Sequence, residues 1–189
     1  MERRKEPIPT TKRVALMASM AALGNVLAFI SMFIRGYHPQ VALDFSHLAT
    51  AIVAVYLGPV MGMFTGILVG MAPFIQLGVM GVLGPFLGFI GFAVGKALSG
   101  LYFGILAKRM RPASAVILGF IPEFVWIYVV LRLLTWLILP PQTAAIFTDI
   151  LILSILAKAW LEIAIIGALV DLIKRRKIVE AILSPGTNR

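Results

Sequence analysis

Residues 41–62 read VALDFSHLATAIVAVYLGPVMG, and this stretch decides the fold. An aspartate, an aromatic residue, a serine and a histidine precede an apolar run that is then cut by Gly58-Pro59. Glycine favours the end of a helix and proline favours the start of the next one. The pattern predicts two short apolar helices, at 46–57 and 60–76. A single kinked helix of about 28 residues is the alternative, because proline is tolerated within membrane helices.

The composition is that of a membrane protein. Of 189 residues, 60% are hydrophobic and 13% are charged, and the mean hydropathy is +0.99. A soluble domain carries about 25% charged residues. Several apolar runs reach the roughly 20 residues that a membrane-spanning helix needs, and barrel-type alternation is absent. The sequence therefore predicts an all-α integral membrane protein with a single membrane domain over 1–189. The absence of cysteine excludes disulfides and thiolate metal sites.

The distribution of Lys and Arg decides between five spans and six. The basic residues cluster in 1–13, in 107–112 and in 174–177, and basic loops face the cytoplasm. Six spans place all three clusters on one side, whereas a fused helix separates the first from the others. We therefore predict a six-transmembrane-helix bundle with a basic cytoplasmic N-terminal segment, 1–13, and a basic cytoplasmic tail, 174–189. The six spans are 14–34, 46–57, 60–76, 82–106, 114–139 and 147–173.

Five charged residues fall within the predicted spans, namely Lys96, Glu123, Arg132, Lys158 and Glu162. Each costs roughly 2.5–3.5 kcal/mol in lipid, so each should face the bundle interior. The helical rise puts Lys96, Glu123 and Glu162 at one level, about 15 Å from their cytoplasmic ends. Three cations against two carboxylates leave one positive charge. We predict a substrate-binding site that opens outward; a self-neutralising structural network is the alternative.

The segment before the second span is expected on the outer face. Asp44 or Ser46 can accept backbone N–H groups at the start of that helix. Tyr37 and His38 belong to a polar and aromatic loop that can cover a binding cavity as a lid. His38 and His47 are expected at the outer edge, away from the carboxylates, with no spacing typical of a metal site.

Two stripes of small residues predict close helix contacts. Gly58, Gly62, Gly66 and Gly70 recur every four residues, which favours packing within the bundle. The first span carries a second stripe, which favours docking of a partner helix; its members are Ala15, Ala18, Ser19 and Ala22.

The chain resembles the substrate-binding S-components of energy-coupling factor (ECF) vitamin transporters. The resemblance rests on the size, the six spans, Ala18-xxx-Ala22 and the stretch LDFSHLATAIVAVYLGPVMGMFTG at 43–66. It implies high-affinity capture of a vitamin or its precursor at the outer face of a prokaryotic cell membrane. It also implies a transmembrane coupling T-component and two cytoplasmic ABC-type ATPases as partners. ATP would be used by those ATPases, with no cofactor and no catalytic residue in this chain.

The resemblance leaves the ligand open. LDFS at 43–46 is similar to the riboflavin branch, but Gly70-Met71-Ala72 stands where a Lys-Asn pair is expected. Arg132 and Lys158 suit a carboxylate vitamin such as pantothenate. Nickel or cobalt is not expected, because the chain begins Met1-Glu2-Arg3 instead of Met-x-His. The alternative function is a stand-alone secondary transporter of a small polar solute.

Overall fold

The computed structural model describes residues 9–37 and 43–183, and this part of the chain is helical, without strands. Five of its helices are long and apolar enough to cross a membrane, which makes the chain a multi-pass membrane protein. In chain order the helices are α1 (Thr10–Tyr37), α2 (Ser46–Leu57), α3 (Pro59–Val79), α4 (Gly84–Leu106), α5 (Pro112–Ile138), the short α6 (Pro141–Ala144), α7 (Asp149–Arg175) and the short α8 (Ile178–Leu183).

The predicted break at Gly58-Pro59 is confirmed. Helix α2 ends at Leu57, and α3 begins at Pro59. Gly58 has φ 94, a left-handed conformation that glycine adopts without steric cost. A Cβ on Gly62 would contact Ala54, and a Cβ on Gly24 would contact both Ala49 and Val69. The start of α2 therefore lies beside the end of Pro59–Val69, so α2 and α3 form an antiparallel hairpin.

Helix α2 is half the length of its neighbours. Its 12 residues extend only about 18 Å, against a hydrocarbon core of about 30 Å. Arg13 Nη2 donates to Leu57 O at 3.2 Å, so the start of α1 and the end of α2 lie at the same end of the bundle. The start of α2 therefore lies only about 18 Å from the basic end, within the bundle. Five predicted spans are full-length helices, and the one at 46–57 is a half-length helix buried among them.

The described residues of the three basic clusters lie at one end of the bundle, here called the basic end. Gly104 of α4 packs against Pro59 at the α2–α3 turn, where α2 ends beside Arg13. Lys174 Nζ of α7 lies 5.6 Å from the ring of Tyr56 in α2. The opposite end, here called the far end, carries the α3–α4 connection at 80–83 and the α5–α7 connection at 139–148.

The glycine stripe serves packing within the bundle, as predicted. A Cβ at Gly62 would lie 2.5 Å from the Gly100 carbonyl oxygen. A Cβ at Gly66 would collide with the Lys96 backbone, and one at Gly70 with the Ala93 backbone. The backbones of α3 and α4 are therefore in direct contact over three helical turns, which sets the position of Lys96.

The described residues include three π-helical segments in the far half of the bundle: Phe74–Val79 in α3, Phe89–Ala93 in α4 and Val130–Leu134 in α5. The sequence did not predict them. A π segment breaks the regular i to i−4 bonding and is often found at functional sites. Trp126 Nε1 of α5 donates to the Ile90 carbonyl at 2.6 Å, which joins α5 to the π segment of α4.

The apolar core has two parts. One lies toward the basic end and includes Val53, Phe103 and Ile166. The other lies toward the far end and includes Leu87 and Ile152. Along α4, α5 and α7 the charged residues fall between these two clusters, so the polar groups form a layer in the middle of the bundle.

Candidate functional site

A cavity of about 930 Å³ occupies the far half of the bundle. Small-molecule sites typically have volumes of about 300–1,000 Å³. Its walls extend from Val82 and Leu83 at the far end to Phe120 and Ile163, where the basic-end core closes it. Most lining residues are apolar; the polar ones are Ser31, Asp44, His47, Lys96, Glu123, Ser154, Lys158 and Glu162.

Asp44 and His47 form part of the floor of this cavity, so the prediction that His47 lies away from the carboxylates is wrong. The Asp44 backbone N–H donates to Glu162 Oε1 at 3.0 Å. Lys96 Nζ donates to Ser46 Oγ at 2.7 Å, and His47 Nε2 lies 3.3 Å from Glu123 Oε1. The segment therefore enters the bundle to the middle of α4, α5 and α7, because the charges buried there require polar partners. These contacts agree with the predicted common level of Lys96, Glu123 and Glu162.

Lys96 is almost completely buried, with 4% of its surface exposed. Its Nζ lies 3.7 Å from Asp44 Oδ2. Among the described residues, Asp44 is thus the carboxylate that forms an ion pair with Lys96, and Asp44 was not counted among the buried charges predicted from the sequence. Asp44 Oδ1 also accepts the N–H of Ser46, the first residue of α2, at 2.9 Å, as predicted, although the N-cap position itself is Phe45.

The predicted pair of Lys158 and Glu162 is present on α7, with Nζ 4.0 Å from Oε1. The Lys158 side chain keeps 26% of its surface exposed and lines the cavity. It is the less tightly held of the two lysines, because its ion-pair distance is the longer one.

Arg132 is not part of the cavity lining. Its Nε lies 2.7 Å from Asp149 Oδ1, in a pair with 37% and 57% of the two side chains exposed. Asp149 is the first residue of α7, so the pair joins the far ends of α5 and α7.

The charge balance of the cavity therefore differs from the predicted one. The described lining residues include two lysines, Lys96 and Lys158, against three carboxylates, those of Asp44, Glu123 and Glu162. The predicted excess of positive charge came from counting Arg132 and omitting Asp44.

His47 is a site residue that the sequence did not reveal. Its ring packs edge-on against Phe120, with centroids 5.8 Å apart, and against Phe103 at 6.4 Å. Its Nδ1 is buried and has no hydrogen-bond partner among the described residues. His47 lies in the first turn of α2, and no periodic pattern gives the depth at which that helix begins, so only the LDFSH stretch itself was available as a signal.

The side chains of the two predicted lid residues, Tyr37 and His38, lie outside the part of the chain that the structure describes. Tyr37 is the last residue of α1, but its side chain is outside the described part of the chain, and so is all of His38. Their predicted role as a lid remains a prediction.

The four small residues of the α1 stripe are exposed on the surface of the bundle. Ala21, Gly24 and Ala28 face inward instead and are buried. Ala15, Ala18, Ser19 and Ala22 therefore leave a shallow face on α1 that no other described part of the chain covers.

No family model, curated protein or solved structure matches this chain. Among the described residues, no three His, Asp or Glu side chains are grouped as a metal site. Function must therefore be argued from the cavity.

Proposed function

We propose that this chain is the substrate-specific binding subunit of an ATP-driven ECF-type vitamin uptake transporter. The carrying observation is the cavity of about 930 Å³, closed toward the basic end and lined by apolar walls with a charged floor. Such a cavity can enclose one small organic molecule and orient it through a few polar groups.

The proposed orientation puts the basic end in the cytoplasm of a prokaryotic cell. The described residues of the basic clusters, such as Arg13 and Lys174, lie at that end, and basic loops are retained in the cytoplasm. Counting the half-length α2 as a crossing gives six passes with both termini inside. The cavity then faces the outside, as capture of a scarce nutrient requires.

The proposed partners are a transmembrane coupling T-component and two cytoplasmic ABC-type ATPases. The exposed small-residue face of α1 supports helix docking, because small side chains let two backbones approach closely. In this proposal ATP is hydrolysed by the partner subunits, and this chain contributes ligand binding alone.

The proposed ligand is a vitamin or vitamin precursor. The sequence suggested riboflavin or a carboxylate vitamin such as pantothenate. A carboxylate vitamin was predicted to bind to two cations, Arg132 and Lys158. Arg132 is paired with Asp149 away from the cavity lining, so it is not available for this role. Lys158 is the remaining cation for that interpretation.

A stand-alone secondary transporter is the second candidate, and the His47–Glu123 pair favours it. Buried pairs of titratable side chains within membrane helices are the groups that relay protons in pumps and transporters. Such a protein would work without ATPases.

Reconstitution separates the two candidates. The ligand is first identified by mass spectrometry of the molecule that co-purifies with the chain. We expect the isolated chain in liposomes to bind that molecule without transporting it, and uptake to require the T-component, the ATPases and ATP. Uptake by the chain alone under a pH gradient would overturn this proposal in favour of the second.

A further inference from the structure

We infer that the ligand of this cavity is a small organic cation with an apolar body. The inference rests on the proposed function only in taking the cavity as a ligand site. Its starting point is the charge of the described lining, in which three carboxylates face two lysines.

The two lysines are already matched with carboxylates. Lys96 lies between Asp44 Oδ2 and Ser46 Oγ. Lys158 lies on the same face of α7 as Glu162, with Nζ 4.0 Å from Oε1. Each lysine thus forms an ion pair with one carboxylate. Among the described residues, no lysine lies within ion-pair distance of the third carboxylate, that of Glu123.

Glu123 is paired with an imidazole instead. His47 Nε2 lies 3.3 Å from Glu123 Oε1, and the Glu123 side chain is 7% exposed. A buried carboxylate is costly unless a positive charge compensates it. The other carboxylate oxygen, Glu123 Oε2, is buried and has no hydrogen-bond partner among the described residues. A cationic ligand in the cavity would place a positive charge beside this carboxylate.

The apolar residues of the lining indicate the chemistry of the rest of the ligand. Above the charged floor, the walls include Phe92, Ile127, Leu131 and Leu156. Such walls bury an aliphatic or aromatic body. A protonated amine or quaternary ammonium on such a body matches both parts of the cavity.

The test uses three probes that share a phenyl body and differ in charge. They are 2-phenylethylamine, which is protonated at neutral pH, 2-phenylethanol, and 3-phenylpropionate. The full chain is purified, and its melting temperature is measured against the concentration of each probe. We expect the amine to reach half-maximal stabilisation at a concentration at least tenfold lower than the other two. Equal or tighter binding of the alcohol or the carboxylate, or no stabilisation by any probe, overturns the inference.

Two variants tie the preference to the cavity. Glu123→Gln removes the charge and keeps the shape, and we expect the tenfold preference for the amine to disappear. If Glu123→Gln does not fold, Glu162→Gln takes its place in the test, because it removes the charge of another carboxylate in the cavity. The control is Asp171→Asn on α7, whose carboxylate pairs with Arg175 at 2.8 Å outside the cavity lining. A preference that persists in both cavity variants contradicts the inference.

The outcome is distinguishable from that of the proposed function. ATP-driven uptake of an anionic vitamin through the reconstituted complex would support the proposed function and contradict the inference that the ligand is a cation. A preference for the amine in a chain that never assembles with ATPases would support the inference of a cationic ligand and contradict the proposed ATP-driven transporter.

Discussion

At the scale of single residues, a buried charge in this bundle is held by a segment from a distant part of the sequence. Lys96 is 50 positions from Ser46, and its Nζ donates to the serine hydroxyl at 2.7 Å. Glu162 is 118 positions from Asp44, whose N–H it accepts at 3.0 Å. The polar floor of the cavity is therefore also the attachment of residues 44–47 to α4 and α7.

Removing the Lys96 charge should destabilise the protein. In Lys96→Met, Asp44 loses its buried counter-ion, a change that typically costs about 3–5 kcal/mol. We expect a large fall in melting temperature of the purified chain. The matched control is Lys108→Met, an exposed lysine at the basic end, which should melt like the wild type. Equal melting temperatures for Lys96→Met and the control would show that Lys96 is not held by this pair.

Arg132 should behave differently from the cavity residues. Its pair with Asp149 is exposed to solvent, and such pairs contribute about 0–1 kcal/mol. We expect Arg132→Met to bind the co-purified ligand within twofold of wild-type affinity, measured by titration calorimetry. A loss of tenfold or more would return Arg132 to the binding site.

The sequence predicted the site residues on the long helices better than those near the start of α2. Helical rise is constant, so counting residues gave the common level of Lys96, Glu123 and Glu162 correctly. The depth of Asp44 and His47 depends on how far the start of α2 enters the bundle, and no local pattern encodes that. Arg132 was assigned to the site from its depth alone, and depth does not reveal its pair with Asp149.

At the scale of elements, the Gly58-Pro59 dipeptide was sufficient to predict the α2–α3 hairpin. Both residues act through local backbone geometry, which a single sequence contains. The half-length of α2 was already visible in the short 46–57 run. The π-helical segments left no such signal, because Phe74–Val79, Phe89–Ala93 and Val130–Leu134 have ordinary apolar compositions.

The contact between α3 and α4 should tolerate no side chain at Gly66. A methyl group there meets the Lys96 backbone, so α4 must move away from α3 and carry Lys96 with it. We expect Gly66→Ala to lose about 1–3 kcal/mol of stability, as overpacked cores do, and to bind ligand more weakly. The measurements are melting temperature and ligand affinity.

Gly91→Ala is the control for this prediction. Gly91 is also a buried glycine of the bundle, but its added Cβ would meet only the Val130 side chain, at 3.4 Å. We expect this variant to keep its stability. Equal damage by both substitutions would mean that small size at Gly66 has no special role.

At the scale of the whole molecule, the separation of basic end and cavity gives a topology that can be measured directly. The chain has no cysteine, so a single introduced cysteine is labelled without background. Lys108 at the basic end and Gln142 at the far end are both exposed. In intact cells, a membrane-impermeant maleimide should label Gln142→Cys, and it should label Lys108→Cys only after permeabilisation. The reverse pattern would place the cavity on the cytoplasmic side.

The exposed face of α1 supplies the last prediction, which concerns assembly. If a helix of the T-component packs on the small-residue stripe, the indole of Ala18→Trp must hold the two backbones apart. The control Leu23→Trp places the same indole on the exposed surface of α1, about 140° around the helix from Ala18. Both variants should bind the co-purified ligand like the wild type, because neither residue lines the cavity. We expect Ala18→Trp alone to lose co-purification with the T-component and ATP-driven uptake. Assembly that survives Ala18→Trp, or fails equally in Leu23→Trp, would remove the stripe as the docking face.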